Sequence, residues 1–420
     1  MASRAKTKPI RVGVIGVGRG LSMGGSNSAT GLELVALCDT WEERLLQAGE
    51  RLGVSTYTDY DCFLSHDMDA VILANYFHEH APFAIQALAA GKHVMSETAA
   101  CHTLAEGVAL VEAVEKSGLT YMFAENYPYM AYNQEMRRLY QKGHVGQFRY
   151  GEGEYVHPDP PEVKLGRSCG YDHWRNWTPA TYYCTHSIAP VMFITDTRPE
   201  KVNGFVVPYD TDDPTQTRSA KLSDTCATIM CRMDNGAVLK SLHGNLRGHG
   251  NYVRIHGNKG LMENCRHGDK QRLRVWREPF EKRTGEPKET VYTPDFPVYH
   301  DRATRAGHGG GDFFTGYHFA EAIRSGEPPY LDVYRGVDMS IVGVQAWRSA
   351  LADSATFEVP DFQQKSARRK YRNDHWSPDP ARKGKGQPAS SIRGRIKLTD
   401  EAKKLARKVW SSKGYDTSKM

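Results

Sequence analysis

Residues 10–20 read IRVGVIGVGRG, and residues 32–39 read LELVALCD. The apolar run that opens the first stretch is typical of a short buried strand. The glycines that follow, which let the backbone turn tightly and approach a pyrophosphate, are Gly16, Gly18 and Gly20. A helix that begins behind them would direct free N–H groups at the phosphates. The stretch therefore predicts a strand, a phosphate-binding turn and a helix.

Asp39 ends the second apolar run, about 20 residues beyond the glycine turn. A carboxylate at this position accepts both ribose hydroxyls of a dinucleotide and repels a 2′-phosphate, so NAD is expected rather than NADP. The strict GxGxxG fingerprint needs a third glycine at position 21, where this chain has Leu21. An ordinary turn is the alternative, but the strand before the glycines and the acid after them favour nucleotide binding. Arg19 is expected to contact the nucleotide beside the glycines.

Length and composition describe an ordinary globular protein. The 420 residues are 40% hydrophobic and 25% charged, which is enough chain for two domains. No apolar run reaches the roughly 18 residues of a membrane span, and the basic N-terminus lacks the apolar core of a secretory signal. The eight cysteines are scattered without a CxxC pair, which indicates reduced thiols. A cytoplasmic protein without a membrane partner is expected.

The net charge of +6 belongs to the C-terminal segment. Residues 362–420 hold 17 Lys and Arg against 5 Asp and Glu, so the rest of the chain is net acidic. Nucleic-acid binding is one function of such a segment, but no recognition motif accompanies it. A solvated or subunit-clasping extension is therefore favoured, with a short capped helix over residues 399–410.

Apolar runs and amphipathic stretches alternate over the first part of the chain. The predicted strands are 12–15, 34–37, 70–74, 93–96 and 120–123, and the predicted helices are 41–52, 82–90 and 104–116. Alternation of this kind predicts an α/β fold whose N-terminal domain is a Rossmann doubly wound parallel sheet.

The pattern changes beyond residue 133. A helix at 133–142 precedes strand-like runs at 148–156, 201–207, 225–233, 237–243, 252–256, 261–264 and 273–275, and helices follow at 318–325 and 333–352. This spacing predicts a C-terminal α+β domain with a large, mostly antiparallel open sheet. The expected domains are an NAD-binding domain at 1–130, a substrate-binding and oligomerisation domain at 131–360, and a basic extension at 361–420.

Ligands of doubly wound sheets bind beyond the carboxyl ends of the strands. Besides the glycine turn and Asp39, the residues expected to contact the nucleotide there are Asn75, Tyr76, His80, Glu97 and Asn126. Glu97 is expected at the nicotinamide ribose rather than as a base.

The glycine turn, residues 68–97 (MDAVILANYFHEHAPFAIQALAAGKHVMSE) and the later mixed-sheet pattern resemble the Gfo/Idh/MocA oxidoreductase family over residues 9–355. That family has a Glu-Lys-Pro segment after the fourth predicted strand, and its lysine assists hydride chemistry at the substrate hydroxyl. This chain has Glu97-Thr98-Ala99, so the lysine is missing. Either another residue takes the hydroxyl proton or the chain is inactive as a dehydrogenase.

One branch of the superfamily lacks the same lysine, the NAD-dependent glycosidases of glycoside hydrolase family 109. Its Glu-Asn pair, its tyrosine about 30 residues later, its Tyr-x-x-His segment and its Gly-His-Gly-Gly loop resemble Glu125-Asn126, Tyr155, residues 183–186 and residues 307–310. The segment at 331–340, LDVYRGVDMS, is also similar. Cys184, where the branch often has proline, and a shorter gap before Tyr183 are the departures.

The resemblance implies hydrolysis through transient oxidation of the sugar at C3, elimination of the C1 leaving group, water addition and re-reduction, with tightly bound NAD recycled. His186 would accept the C3 hydroxyl proton, Tyr183 would share that hydroxyl, and Tyr155 would act at C2 if neighbours lower its pKa near 10. Glu125 would orient the substrate or relay a proton. His308 would close over the sugar on its glycine-rich loop.

Each of these residues has a structural alternative. Glu125 can simply accept hydrogen bonds from backbone N–H groups, and Tyr155 can be an ordinary aromatic residue of a strand. Tyr183 and His186 can form the polar face of a helix. His308 can be an exposed turn residue.

The segment YDHWRNW at 171–177 adds two candidate substrate-binding residues. Trp174 is expected to stack on a sugar face and Arg175 to bind an anionic group, with loop packing as the alternative. Arg247 and His249 are expected to line the same cavity. No metal is expected, because the histidines near these residues lack ligand spacing.

The sequence thus predicts an NAD-dependent, sugar-active enzyme, a redox glycosidase in the first place. The alternatives are an NAD-dependent sugar or polyol dehydrogenase that uses His186 in place of the lysine, and a catalytically inactive NAD-binding regulator. The expected partners are a carbohydrate or glycoside substrate and further copies of the chain, as a dimer or tetramer, and not nucleic acid.

Overall fold

Six strands of the N-terminal part form one parallel sheet in the computed structural model, which describes residues 8–24, 30–248, 250–282, 284–382 and 386–419. They are β1 (Ile10–Ile15), β2 (Leu32–Cys38), β3 (Ser55–Tyr57), β4 (Ala70–Leu73), β5 (His93–Ser96) and β6 (Tyr121–Phe123). Their order is β3-β2-β1-β4-β5-β6, with every pair parallel. The connecting helices are α1 (Arg19–Gly24), α2 (Glu42–Leu52), α3 (Tyr60–Leu64), α4 (His80–Ala89) and α5 (Leu104–Ser117).

This sheet confirms the predicted Rossmann fold. The strand order reverses between β1 and β4, and such a switch point opens a crevice for a nucleotide. Helix α5 shows why the boundaries were predictable, since the Thr103 hydroxyl caps its start by accepting from the Glu106 N–H at 3.2 Å, and Gly118 ends it with a φ of 65°. The short strand β3 was not predicted, because three residues at a sheet edge carry too little pattern.

The second sheet has nine strands, which are β7 (Phe148–Val156), β8 (Pro199–Val207), β9 (Cys226–Met233), β10 (Val238–Gly244), β11 (Gly250–Gly257), β12 (Gly260–Asn264), β13 (Leu273–Arg277), β14 (Glu289–Tyr292) and β15 (Phe357–Glu358). Their order is β14-β13-β12-β11-β7-β10-β9-β8-β15. Only the β7–β10 pair is parallel among these strands, and the other neighbours are antiparallel. The prediction of a large, mostly antiparallel sheet is confirmed.

The remaining helices are α6 (Ala131–Gln141), α7 (Pro161–Gly166), α8 (Trp174–Trp177), α9 (Thr185–Thr195), α10 (Pro214–Thr217), α11 (His300–Ala303), α12 (Gly311–Ser325), α13 (Val333–Leu351), α14 (Lys365–Tyr371) and α15 (Asp400–Ser412). Helix α9 is apolar on nearly all sides and buried. It lies so close to β7 that a Cβ on Gly153 would be 1.7 Å from the Ser187 carbonyl oxygen. This contact fixes the first turn of α9 against the sheet. No helix in the described ranges has both the length and the apolar character that a bilayer crossing requires.

The basic C-terminal segment packs on its own chain. Trp410 of α15 is fully buried, and its indole N–H donates to the Leu165 carbonyl at 2.9 Å. Arg368 of α14 is also buried and forms an ion pair with Glu115 at 2.6 Å. This differs from the solvated alternative, because apolar residues of α15 form one stripe whose burial outweighs the cost of ordering the segment. The capped helix predicted there is confirmed, and Thr399 is its N-cap.

Replacing Trp410 by alanine is expected to lower the free energy of unfolding by about 3–5 kcal/mol, the usual cost of an emptied tryptophan site. Urea denaturation measures the change. Lys408→Ala is the matched control, because Lys408 is exposed on the same helix. Equal stability of the two variants would contradict the docked position of α15.

Candidate active site

The glycine turn between β1 and α1 passes directly beside the end of β4. Gly16 has a φ of +92°, and a Cβ there would lie 2.3 Å from the Ala74 carbonyl oxygen, so only glycine fits. A Cβ on Gly20 would lie 2.5 Å from the Val14 side chain. Gly20 is therefore the glycine that lets helix and strand pack, and this explains why the chain tolerates Leu21 at the usual third position. Gly18 has no atom within 4 Å of its Cβ position, which leaves space for a ligand.

Asp39 links this turn to the start of α2. Its carboxylate accepts from the Val17 N–H at 2.8 Å and from the Trp41 N–H at 2.9 Å, and the side chain is partly exposed. Two buried amide oxygens near the same sheet edge, Asn75 Oδ1 and Asn126 Oδ1, have no hydrogen-bond partner among the described residues. Buried polar atoms are normally satisfied, so unpaired atoms around an open glycine turn fit a bound dinucleotide.

Arg19 lies between two carboxylates. Its Nε donates to Glu97 at 2.8 Å, and its two terminal nitrogens donate to Asp312 at 2.9 and 2.7 Å. Burial alone would raise the pKa of Glu97, but the Arg19 charge outweighs it and lowers this pKa below its ordinary value. Burial would also raise the pKa of Asp312, but the hydrogen bonds from Arg19 and His308 lower this pKa strongly. Both acids are therefore ionised at neutral pH.

Asp312 collects four donors from three parts of the chain. Besides Arg19, it accepts from Asn126 Nδ2 at 2.7 Å, and its other oxygen lies 2.9 Å from His308 Nδ1. Sequence reasoning assigned Asp312 no role, although an acid in the first turn of a helix behind a glycine run was a usable signal. The residue joins the nucleotide turn to the His308 loop.

Glu125 and His186 form a hydrogen-bonded pair at the end of β6. Glu125 is fully buried, and its Oε1 lies 2.7 Å from His186 Nδ1. The same oxygen accepts from the Tyr127 N–H at 3.2 Å, while Oε2 is buried and has no partner in the part of the chain that the structure describes. A carboxylate at Nδ1 orients the ring and leaves Nε2 of a neutral imidazole as a proton acceptor. The pair has the form of a general base with its positioning acid.

Three tyrosine rings surround His186. The ring centroids of Tyr127, Tyr155 and Tyr183 lie 4.5, 4.8 and 5.0 Å from the imidazole centroid. Burial raises the pKa of Tyr155, with a further contribution from Tyr183, and the Arg175 charge opposes the rise. The phenols therefore keep their protons at neutral pH. Tyr127 was not predicted, because its position two residues after Glu125 gave no separate signal.

An open cleft begins at Tyr155 and Tyr183 and runs over the second sheet. Tyr155, Trp174, Arg175 and Tyr183 all line it. The Arg175 guanidinium lies 4.2 Å from the Trp174 ring centroid, a cation–π distance, and Trp174 stacks at 6.3 Å from Tyr183. The structure thus brings the predicted sugar-contacting residues together with two of the predicted catalytic residues.

Three other predicted residues do not line this cleft. His80 is buried, and its Nδ1 lies 2.8 Å from the Ala99 carbonyl, with Nε2 unpartnered. Tyr76 is 41% exposed and contacts His173 at 4.7 Å. Arg247 is exposed and paired with Asp213 outside the cleft. His249 lies outside the described residues.

No cluster of three or more metal-ligating side chains occurs in the parts of the chain that the structure describes.

Comparison with known proteins gives the family. Residues 10–125 match the model of the oxidoreductase family with an NAD-binding Rossmann fold, and residues 130–369 match that of the glycosyl hydrolase 109 C-terminal domain. A glycosyl hydrolase family 109 protein of Saccharopolyspora erythraea is 26% identical, over 84% of this chain and 83% of its own. A protein of Shewanella oneidensis named alpha-N-acetylgalactosaminidase is 24% identical, over 85% and 86%.

Solved structures share the fold. Levoglucosan dehydrogenase, in complex with NADH and L-sorbose, superposes with a TM-score of 0.71 at 20% identity, over 84% of this chain and all of that one. Aldose-aldose oxidoreductase from Caulobacter crescentus gives 0.65 at 21% identity, over 84% and 100%. The chain therefore belongs to the Gfo/Idh/MocA oxidoreductase family and carries the C-terminal domain of glycosyl hydrolase family 109.

Proposed function

We propose that this protein is an NAD-dependent glycoside hydrolase that oxidises its sugar at C3 and reduces it again within each turnover. The observation that carries the proposal is the pair of Glu125 and His186 at 2.7 Å, in a family member without the lysine of ordinary dehydrogenases. The pair supplies a proton acceptor beside the nucleotide crevice, and the cleft beyond it has the aromatic lining of a sugar site.

The nucleotide would lie across the glycine turn. The residues that would hold it are Gly16, Gly18, Arg19, Gly20, Asp39, Asn75, Tyr76, His80, Glu97 and Asn126. Bound NAD supplies a hydride acceptor at C3 that returns the hydride at the end of the reaction. Asp312 fixes Arg19 and Asn126 in place, so the nucleotide site and the His308 loop are one connected unit.

His186 would accept the C3 hydroxyl proton at Nε2, because Nδ1 is engaged by Glu125. Glu125 positions the ring and stabilises the imidazolium that forms. Tyr183 would donate its phenolic hydrogen to the same sugar oxygen. His308, 45% exposed on its glycine loop, would approach the sugar from the solvent side.

Tyr155 would act on the hydrogen at C2. Burial raises its pKa although the Arg175 charge opposes the rise, so the condition stated for Tyr155 is not met in the resting site. The phenol would have to release its own proton to solvent before it could accept the one from C2. The C2 proton leaves, the C1–O bond breaks, and the leaving group takes a proton. Water would then add at C1 and a proton would return to C2. NAD held at the glycine turn would supply the hydride for C3, so the sum would be hydrolysis without net oxidation.

The substrate class follows the relatives only in outline. A nitrophenyl α-N-acetylgalactosaminide belongs in the test panel, because the Shewanella oneidensis relative bears that activity in its name.

The test uses the purified full chain without added NAD and a panel of nitrophenyl glycosides. We expect nitrophenol release without accumulation of NADH. Steady NADH production from free sugars and added NAD, without nitrophenol release, would contradict the proposal and identify the dehydrogenase alternative. Neither activity with any member of the panel would contradict both and favour the regulator.

A further inference from the structure

The cleft beside Tyr155 and Tyr183 is lined by more basic than acidic side chains. Four basic side chains line it, namely Lys164, Arg167, Arg175 and Lys221, against the carboxylate of Asp159. Asp159 is engaged by Arg167 at 2.6 Å and by His157 at 3.4 Å. The remaining three cations therefore face the cleft without a matching carboxylate in its lining.

Lys221 is one of these cations and is partly exposed. Its Nζ lies 3.3 Å from the amide group of Asn245, a neutral partner. Asp224, whose charge acts on Lys221, already accepts from the Tyr209 N–H, the Ser391 hydroxyl and the Ile392 N–H. Lys221 forms no ion pair within 4 Å with any described carboxylate. A partly buried ammonium without a counter-ion carries a desolvation cost, and a ligand that brings a negative charge would offset it.

Lys164 and Arg175 reinforce this charge from two other elements. The Lys164 ammonium donates to the Thr215 carbonyl at 3.2 Å, again a neutral group. Arg175 is exposed and rests on the Trp174 ring at 4.2 Å, which holds the guanidinium beside the cleft. Burial, and then the charges of Lys164 and Arg175, lower the pKa of Lys221 to about 8. The three cations repel one another in the structure, and an anion between them would relieve that repulsion.

We infer that the cleft formed by Lys164, Arg175 and Lys221 is a subsite for an anionic group on the glycoside, a carboxylate, sulfate or phosphate ester. That the ligand is a glycoside rests on the proposed function. The subsite adjoins Tyr155 and Tyr183, so the anion belongs to the reacting sugar or to the residue attached to it. A neutral glycoside would leave the three charges unpaired in a partly buried site.

The pH dependence of binding gives a second signature. Because the pKa of Lys221 is about 8, its amine is protonated and charged below that pH and neutral above it. Anion affinity should fall as the pH rises through about 8, and the bound anion should move this midpoint upward. The ionisable groups that act on Lys221 are Lys164, Arg175, Asp224, Cys226 and His243. Burial lowers the pKa of His243 to about 3, so that ring stays neutral across the transition.

The experiment measures binding without turnover, so its result does not depend on whether the hydrolysis is found. Galactose, galacturonate, galactose 6-sulfate and galactose 6-phosphate are titrated into the NAD-loaded protein, with quenching of tryptophan fluorescence as the signal. We expect at least one anionic sugar to bind about ten- to a hundredfold more tightly than galactose, and the three arms identify which anion fits.

Lys221→Met should remove that preference and leave galactose binding intact, whereas Lys201→Met, an exposed lysine on β8, should retain it. Anionic sugars that bind no more tightly than galactose, or that do not bind saturably at all, would overturn the inference. A Lys221→Met variant that keeps the wild-type preference would do so as well.

Discussion

His186→Ala is expected to lower kcat for glycoside hydrolysis by about 10²–10⁴-fold, the usual contribution of a positioned general base. The ring accepts the C3 hydroxyl proton in the proposed reaction, and no other described histidine is paired with Glu125. NAD content should stay at the wild-type level, because the Arg19 cluster and the glycine turn do not involve the imidazole. Steady-state kinetics and the nucleotide absorbance of the purified variant measure the two effects.

The matched control for this variant is His375→Ala, since His375 is exposed in the C-terminal segment. It should keep the wild-type kcat. If His186→Ala also kept the wild-type kcat while remaining folded, the assignment of the general base would be wrong.

Asp312→Asn is expected to have the largest effect on nucleotide retention. The substitution keeps the shape of the side chain but leaves the Arg19 guanidinium with Glu97 as its carboxylate partner. Breaking such a pair costs about 2–3 kcal/mol, less than in a fully buried pair because 27% of the Arg19 side chain is exposed. We expect a lower Tm and protein that purifies without NAD.

The acid sensitivity of the same variant checks the cause. The folded-state pKa of Asp312 lies below its unfolded value, so its contribution to stability is complete above pH about 4 and is lost as the pH falls through the folded pKa. Asp312→Asn should remove this part of the acid destabilisation, whereas the exposed Asp301→Asn on α11 should not. An unchanged acid profile in Asp312→Asn would contradict the role of the cluster.

The sequence predicted the fold well where a local pattern recurs. Helix α5 carries its own cap residues, and the glycine turn carries a backbone geometry that other residues cannot adopt. The shift of the third glycine to Gly20 could not be explained from sequence, because its reason is contact with Val14 across the strand and helix.

The candidate site was only partly predictable. Glu125 and His186 were named separately from motif spacing, but their direct hydrogen bond depends on the way α9 packs against β7. Arg19 and Asp312 are 293 residues apart, and no pattern in the chain indicates that they meet. The role of Lys221 likewise could not be predicted, because it depends on a cleft in which three separate segments of the chain place their cations.

Hydrolysis in heavy water is the experiment that decides whether the sugar is oxidised and reduced within one turnover. A nitrophenyl glycoside that the enzyme cleaves is hydrolysed to completion, and the released sugar is examined by NMR. We expect one deuterium at C2 and no net NADH, because the C2 proton leaves during elimination and solvent returns it. A released sugar that retains its original hydrogen at C2 would contradict the proposed mechanism of oxidation, elimination and re-reduction.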